Sequence, residues 1–123
     1  MMMERIIAFI MSHPSKEVAL KDWPLVDIVD LIIEASNNFS LAIVTSPTDN
    51  AIQGVCIATP NHAKRQLYVN AILIQQHTKG VMKHMLQIFK ANFSSYIIVA
   101  HRKGNWTEYK TPRLTHLLTQ LSH

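Results

Sequence analysis

Between Gln66 and His101 the hydrophobic pattern changes period twice. Residues 66–74 form a run with the composition of a strand. Residues 78–93 instead gather Val81, Met82, Met85, Leu86, Phe89 and Phe93 on one side. Lys79, Lys83, Gln87 and Lys90 fall mainly on the other side, which is the period of a helix. The run from Tyr96 to His101 is again β-branched. A strand, a helix and a strand in such close succession give two parallel strands joined by a right-handed crossover. That unit commits the chain to a sheet with at least one helix lying on it.

The segments before it fit the same plan. Residues 3–12 carry Ile6, Ile7, Phe9, Ile10 and Met11 with few breakers, a first helix ended by Ser12-His13-Pro14-Ser15. Residues 24–35 form a second helix, with Pro24 in its first turn and Leu25, Ile28, Val29, Ile32 and Ile33 at helical spacing. Asp22, Asp27 and Asp30 lie near its start, where negative charge is favoured, and Asn37-Asn38 closes it. Strands are expected at 41–45, 52–59 and 66–74, an antiparallel meander with short turns. After residue 101, Arg102–Asn105 is a turn, and Pro112 with Leu114, Leu117, Leu118 and Leu121 predicts a short last helix over 112–121. The order is α-α-β-β-β-α-β-α, an α/β or α+β fold with a mixed sheet.

With 123 residues, 48% hydrophobic and 16% charged, the chain has enough apolar material for one core and too much for disorder. Residues 1–123 are therefore read as a single domain. A lone cysteine, Cys56, rules out an internal disulfide and reads as a buried, inert thiol inside a strand. No apolar run reaches the roughly 18 residues needed to cross a bilayer. The first residues lack the basic region and the cleavage site of a secretory leader. The expectation is a cytoplasmic chain with no membrane partner.

The net charge of +4 is unevenly spread. Residues 1–50 carry seven acidic and three basic side chains, and residues 51–123 carry one acidic and nine basic. The basic part suits an anionic partner: a phosphate-bearing cofactor, a nucleic acid or an acidic protein. One junction concentrates that chemistry. In Ile74-Gln75-Gln76-His77-Thr78-Lys79-Gly80-Val81-Met82 a strand passes through a polar turn into a helix. Thr78 is the expected N-cap, with Lys79 and Gly80 in the first turn. Helix-start N–H groups bind phosphate, a glycine lets it approach, and Lys79 and Lys83 add charge. The spacing excludes a Walker loop and a dinucleotide fingerprint.

The run LYVNAILIQQHTKGVMKHMLQIFKANFSSYIIVAH resembles the central part of the GCN5-related N-acetyltransferase (GNAT) fold. That family has two helices, a meander and then a strand, loop, helix and strand that hold acetyl-CoA. Its pyrophosphate loop reads Gln/Arg-x-x-Gly-x-Gly/Ala, where this chain has His77-Thr78-Lys79-Gly80-Val81-Met82. Gly80 matches the first glycine, His77 replaces Gln/Arg, and Met82 replaces the last small residue. The resemblance runs from residue 3 to about 101. It implies that Ala71, Ile72 and Leu73 offer backbone groups to the pantetheine arm, and that the two parallel strands splay to admit it. It also implies a tyrosine that protonates the leaving thiolate, for which Tyr109 is the candidate. The family's last strands are missing or much shortened here, the form expected of a small, degenerate member such as a viral or mobile-element protein.

Acetyl transfer to an amine needs a base and a polarised carbonyl. Glu34, His101 and Glu108 are the candidate bases, and the acidic first half would attract a cationic amine substrate. The seven histidines form no recognised ligand spacing, so no metal is expected. Arg102–Lys110 interleaves cations with Trp106 and Tyr109, a composition that suits single-stranded nucleic acid, with Lys64, Arg65 and Tyr68 extending the surface. It equally suits a protein interface. Three functions compete: an acyl-CoA-binding N-acetyltransferase, a non-catalytic protein using the same fold for assembly with itself or a partner protein, and a nucleic-acid-binding protein.

Overall fold

A computed structural model describes residues 2–13, 20, 22–75, 78–102 and 105–109, with 101, 102 and 105–109 as backbone only. Two helices come first, α1 (Met2–Ser12) and α2 (Leu25–Asn37). The strands β1 (Leu41–Thr45), β2 (Ile52–Asn61) and β3 (Gln66–Ile74) follow, then α3 (Val81–Asn92), β4 (Ile97–Arg102) and β5 (Asn105–Tyr109). The fold is α+β with a mixed sheet. The five strands lie in sequence order, antiparallel throughout except for the parallel pair β3–β4.

Each sheet face has its own core. On one face α1 and α2 bury Ile6, Ile10, Ile28 and Ile32 against Val55, Ile57, Ala71 and Leu73. On the other, α3 buries Val81, Met85 and Phe89 against Ala42, Cys56, Ala58, Leu67 and Val69. Strand β2 is buried on both faces and divides its side chains by size. Val55 and Ile57 fill the space under the helix pair, while Cys56 and Ala58 let α3 approach closely. Gly54 continues the small row. A Cβ there would overlap Val81 Cγ1 and stand 3.3 Å from Met85 Sδ. The start of α3 is thus seated on the centre of the sheet.

In β3, period-two alternation would put Leu67, Val69, Ala71 and Leu73 on one face. They instead divide between the two cores. Ile57 pairs with Ala71 but Ala58 pairs with Val69, so Asn70 is an extra residue, a β-bulge. Its amide Nδ2–H donates to Thr59 Oγ1 at 2.7 Å. One inserted residue therefore turns the second half of β3 over.

Three sequence expectations need correction. The helix starts at Val81 rather than 78, because Gly80 is its N-cap with φ of 77°, in the left-handed region. Thr78 does not cap it; its hydroxyl donates to the Gln75 carbonyl at 2.6 Å. Lys79 and Gly80 accordingly precede the first turn. Third, the turn expected at Arg102–Asn105 joins two paired residues, and Asn105–Tyr109, for which no element is expected from the sequence, is a strand paired antiparallel with β4. It ends the strand order of the sheet. The helix expected over 112–121 lies outside the described residues.

Candidate functional site: the end of the parallel ladder

The ladder between β3 and β4 is short. It pairs Gln66 with Ile97, Leu67 with Ile98, Tyr68 with Val99 and Val69 with Ala100, and there it ends. Both strands go on, β3 to Ile74 and β4 to Arg102. The break falls at the Asn70 bulge, and the bulge is its cause. Before it, Ile97 N–H donates to Arg65 O at 2.9 Å, so the main-chain groups of Leu67 and Val69 face β4 by alternation. After it, Gln75 N–H donates to Gln53 O at 2.8 Å, so odd-numbered Ala71 and Leu73 direct their N–H and C=O at β2. The even-numbered Ile72 and Ile74 direct theirs to the side on which the ladder to β4 has ended.

One of these groups has a side-chain partner. His13, just past the end of α1, reaches Ile74 O with Nε2 at 2.6 Å. A carbonyl only accepts, so Nε2 carries the proton. Phe9 holds the imidazole from one turn earlier, with ring centroids 5.5 Å apart. The helix pair therefore closes the far end of this edge, and among the described residues Ile72 is left as the position offering main-chain groups along it.

Beyond Ile74 the chain passes residues 76 and 77, where the candidate His77 lies outside the described residues, and reaches Gly80. A Cβ added at Gly80 would meet none of the described residues within 4 Å. The N–H groups of Val81, Met82 and Lys83 have no intrahelical acceptor by geometry. Lys79 is exposed, Lys83 is half-buried and Val81 is buried against the sheet. Of the residues singled out from the sequence, Ile72, Gly80, Val81, Met82 and Lys83 thus fall along one edge and the helix start that follows it.

The candidate base Glu34 and the candidate acid Tyr109 are not brought together. Glu34 is exposed in the last turn of α2, over β1 and β2. Tyr109 pairs with Ile98, on the far side of β4 and level with the part of β4 that is still laddered to β3. The β5 residues level with the end of the ladder are Trp106 and Thr107, which pair with His101 and Ala100. In the sequence His13 belongs to a helix stop, and the signal for its further role is faint: a histidine beside a helix end.

Among the described residues no three His, Cys, Asp or Glu side chains gather as metal ligands, and no helix is long and apolar enough to cross a membrane. Cys56 is buried under α3, and desolvation raises its thiol pKa far above the ordinary value. That burial removes it as a nucleophile. No family model matches the chain, and no curated protein or solved structure matches it.

Proposed function

We propose that the chain binds an acyl-CoA thioester between β3 and β4 and passes the acetyl group to an amine. The observation that carries this reading is the early end of the β3–β4 ladder at Val69 and Ala100, with β3 continuing for five residues. A parallel pair inside a sheet ordinarily keeps its ladder, because unpaired main-chain groups cost about 1–3 kcal/mol each when buried. An extended ligand carrying amides, as pantetheine does, satisfies such an edge by adding to it as a strand would.

The residues fit that ligand in a definite order. Ile72 offers its N–H and C=O to the arm. Ala71 and Leu73 shape the strand but spend their main-chain groups on β2. The start of α3, with Gly80 at its cap and Lys79 and Lys83 adjacent, receives the diphosphate. An N–H directed at a thioester carbonyl would polarise it for attack by an amine nitrogen. The C–N bond then forms as the C–S bond breaks, the sulfur leaving as thiolate and the amine losing a proton.

The test is isothermal calorimetry and amide NMR with acetyl-CoA and with acetyl-pantetheine, which lacks the nucleotide. Saturable binding of both, with shifts at residues 70–74, is the expected result. No binding of either at millimolar concentration overturns the proposal.

A second reading has its own observation. Leu25, Val26 and Ile33 are exposed on α2, and Trp23 lies beside them. An apolar outer face of this kind suits assembly with a second copy or a partner protein. Sedimentation that stays monomeric to millimolar concentration would count against self-assembly.

A further inference from the structure

The opposite end of the parallel pair carries a concave site. A cavity of about 400 Å³ opens where the C-terminal ends of α2 and α3 meet the turn between β2 and β3. Its rings are Phe39, Phe93, Tyr96 and the imidazole of His62, and its amides are Asn37, Asn38 and Asn92. No charged side chain lines it among the described residues.

We propose that this cavity binds a nucleobase, with the attached phosphate on the β2–β3 turn. The proposal is independent of the acyl-CoA reading, since the two sites lie at opposite ends of β3.

Four features support it. The first is Phe39. It is 73% exposed and its φ is 58°, so a bulky side chain stands in solvent on a left-handed backbone. The φ is that of the residue closing α2, whose N–H donates to Ser36 O while the Ser40 N–H donates to Ala35 O; the exposure of so large a ring brings the core nothing. A planar ligand stacked on the ring would account for its position. The second is an ordered aromatic wall. Tyr96 meets Phe93 edge-on at 5.1 Å and His62 edge-on at 5.7 Å, and its hydroxyl is 2.5 Å from His62 Nδ1. Rings held in this way lose little freedom on binding. Third, an uncharged lining rich in carboxamides offers donors and acceptors together, which matches the edge of a base. The Asn38 amide is already bonded to Glu34 O at 2.9 Å, and the Asn92 amide only weakly to Phe39 O at 3.4 Å. Asn37 and Asn92 are therefore the readers.

The fourth is the placement of charge. Lys64 and Arg65 are exposed in the same turn as His62, and Arg65 is bonded through its carbonyl to Ile97, next to Tyr96. Glu34, one turn before Asn38, makes the α2 side unfavourable for an anion. The phosphate accordingly belongs on the turn side. A free nucleotide and an unpaired base of a single strand share this chemistry.

The test titrates the full chain with adenosine 5′-monophosphate, with a single-stranded octanucleotide and with ribose 5-phosphate, read by amide NMR and fluorescence. Expected is saturable binding of the nucleotide, the strand or both, with shifts at Asn37, Phe39, Asn92 and Tyr96. Phe39→Ala should weaken it about tenfold or more, the loss of one stacking contact. That variant should leave the melting temperature unchanged, because the ring is outside the core. Binding of the strand alone assigns the site to nucleic acid, and binding of the mononucleotide assigns it to free nucleotides. Three results overturn the proposal: no binding at millimolar concentration, equal binding of ribose 5-phosphate, or binding that Phe39→Ala leaves within twofold.

Discussion

Replacing Gly54 by alanine tests how α3 is seated, and with it the placement of the helix start that borders the proposed acyl-CoA site. The added Cβ overlaps Val81 Cγ1 and lies 3.3 Å from Met85 Sδ and 3.6 Å from its Cε. Met85 can swing its flexible end aside. Val81 cannot, because a β-branched side chain in a helix has one favoured rotamer. The helix must move instead. Overpacking of this kind costs about 1–3 kcal/mol. Alanine also restricts the unfolded chain, which offsets about 0.4–1 kcal/mol. The net loss is about 1–2 kcal/mol, or roughly 4–10 °C in melting temperature for a domain of this size. Urea denaturation of the wild type, Gly54→Ala, Val81→Ala and the double variant measures it. Trimming Val81 makes room for the new methyl group, so the double variant should be more stable than the two single losses predict, by about 1 kcal/mol. A Gly54→Ala chain as stable as the wild type, or strictly additive losses, would refute this seating of α3 on β2.

Other perturbations probe separate parts of the fold. Ser40 is fully buried and its hydroxyl donates to Ala58 O at 2.6 Å, so Ser40→Ala strands that carbonyl and should cost about 1–2 kcal/mol in chemical denaturation; an unchanged midpoint would contradict the bond. Cys56 should resist a thiol reagent at pH 8 in the native state and react once urea unfolds the chain, since burial suppresses its thiolate. Rapid reaction of the folded protein would show that α3 does not cover it. Asp49 accepts the Ala51 N–H at 3.1 Å, and that bond, followed by one from Ser46, holds its carboxyl below the usual value. A depressed folded pKa contributes stability above the unfolded carboxylate value, and the contribution disappears as pH falls through the folded one. The stability difference between the wild type and Asp49→Asn should therefore shrink on acidification below about pH 4, and a difference independent of pH would refute the assignment.

The elements themselves are legible in the sequence. Leu41–Thr45 and Gln66–Ile74 have the same bounds in the structure, and α1, α2, β2 and β4 differ by one or two residues at their ends. Strong periodicity explains this, because each element has one apolar face that only one period satisfies. The start of α3 is harder to place. Thr78 is a good cap by residue type, whereas its hydroxyl is drawn back to Gln75 and left-handed Gly80 takes the cap position. Strand β5 is masked because cations and aromatic rings in Arg102–Lys110 read as a binding surface. The turn expected at Arg102–Asn105 is the signal of a hairpin, and this composition hides the strand that follows it. The cavity is invisible in the sequence because residues 37–39, 62 and 92–96 are distant along the chain and meet only when the ends of α2 and α3 converge.

Asn70 shows why part of a site can be illegible even where the strand that carries it is not. In Leu67-Tyr68-Val69-Asn70-Ala71-Ile72-Leu73-Ile74 it is the one carboxamide inside an apolar strand, and on residue type it reads as a polar position facing solvent. The fold uses it as an insertion. Without the bulge, Ala71 and Leu73 would face α3 and their main-chain groups would turn toward β4, and the bulkier Ile72 and Ile74 would be forced under α1 and α2 in their place. With it, Ala71 and Leu73 complete that core. The same half-turn of the strand removes its register with β4 beyond Ala100. Core packing and the end of the ladder therefore share one cause, and selection on either would retain the inserted residue. The closed end of the pair has the opposite character. There the ladder is continuous through the Ile97–Arg65 bond, the main chain is satisfied, and the recognition chemistry is carried by side chains around Phe39. A single parallel pair thus presents main-chain groups at one end and rings and amides at the other, which is why the two proposed ligands differ in kind and can be tested separately.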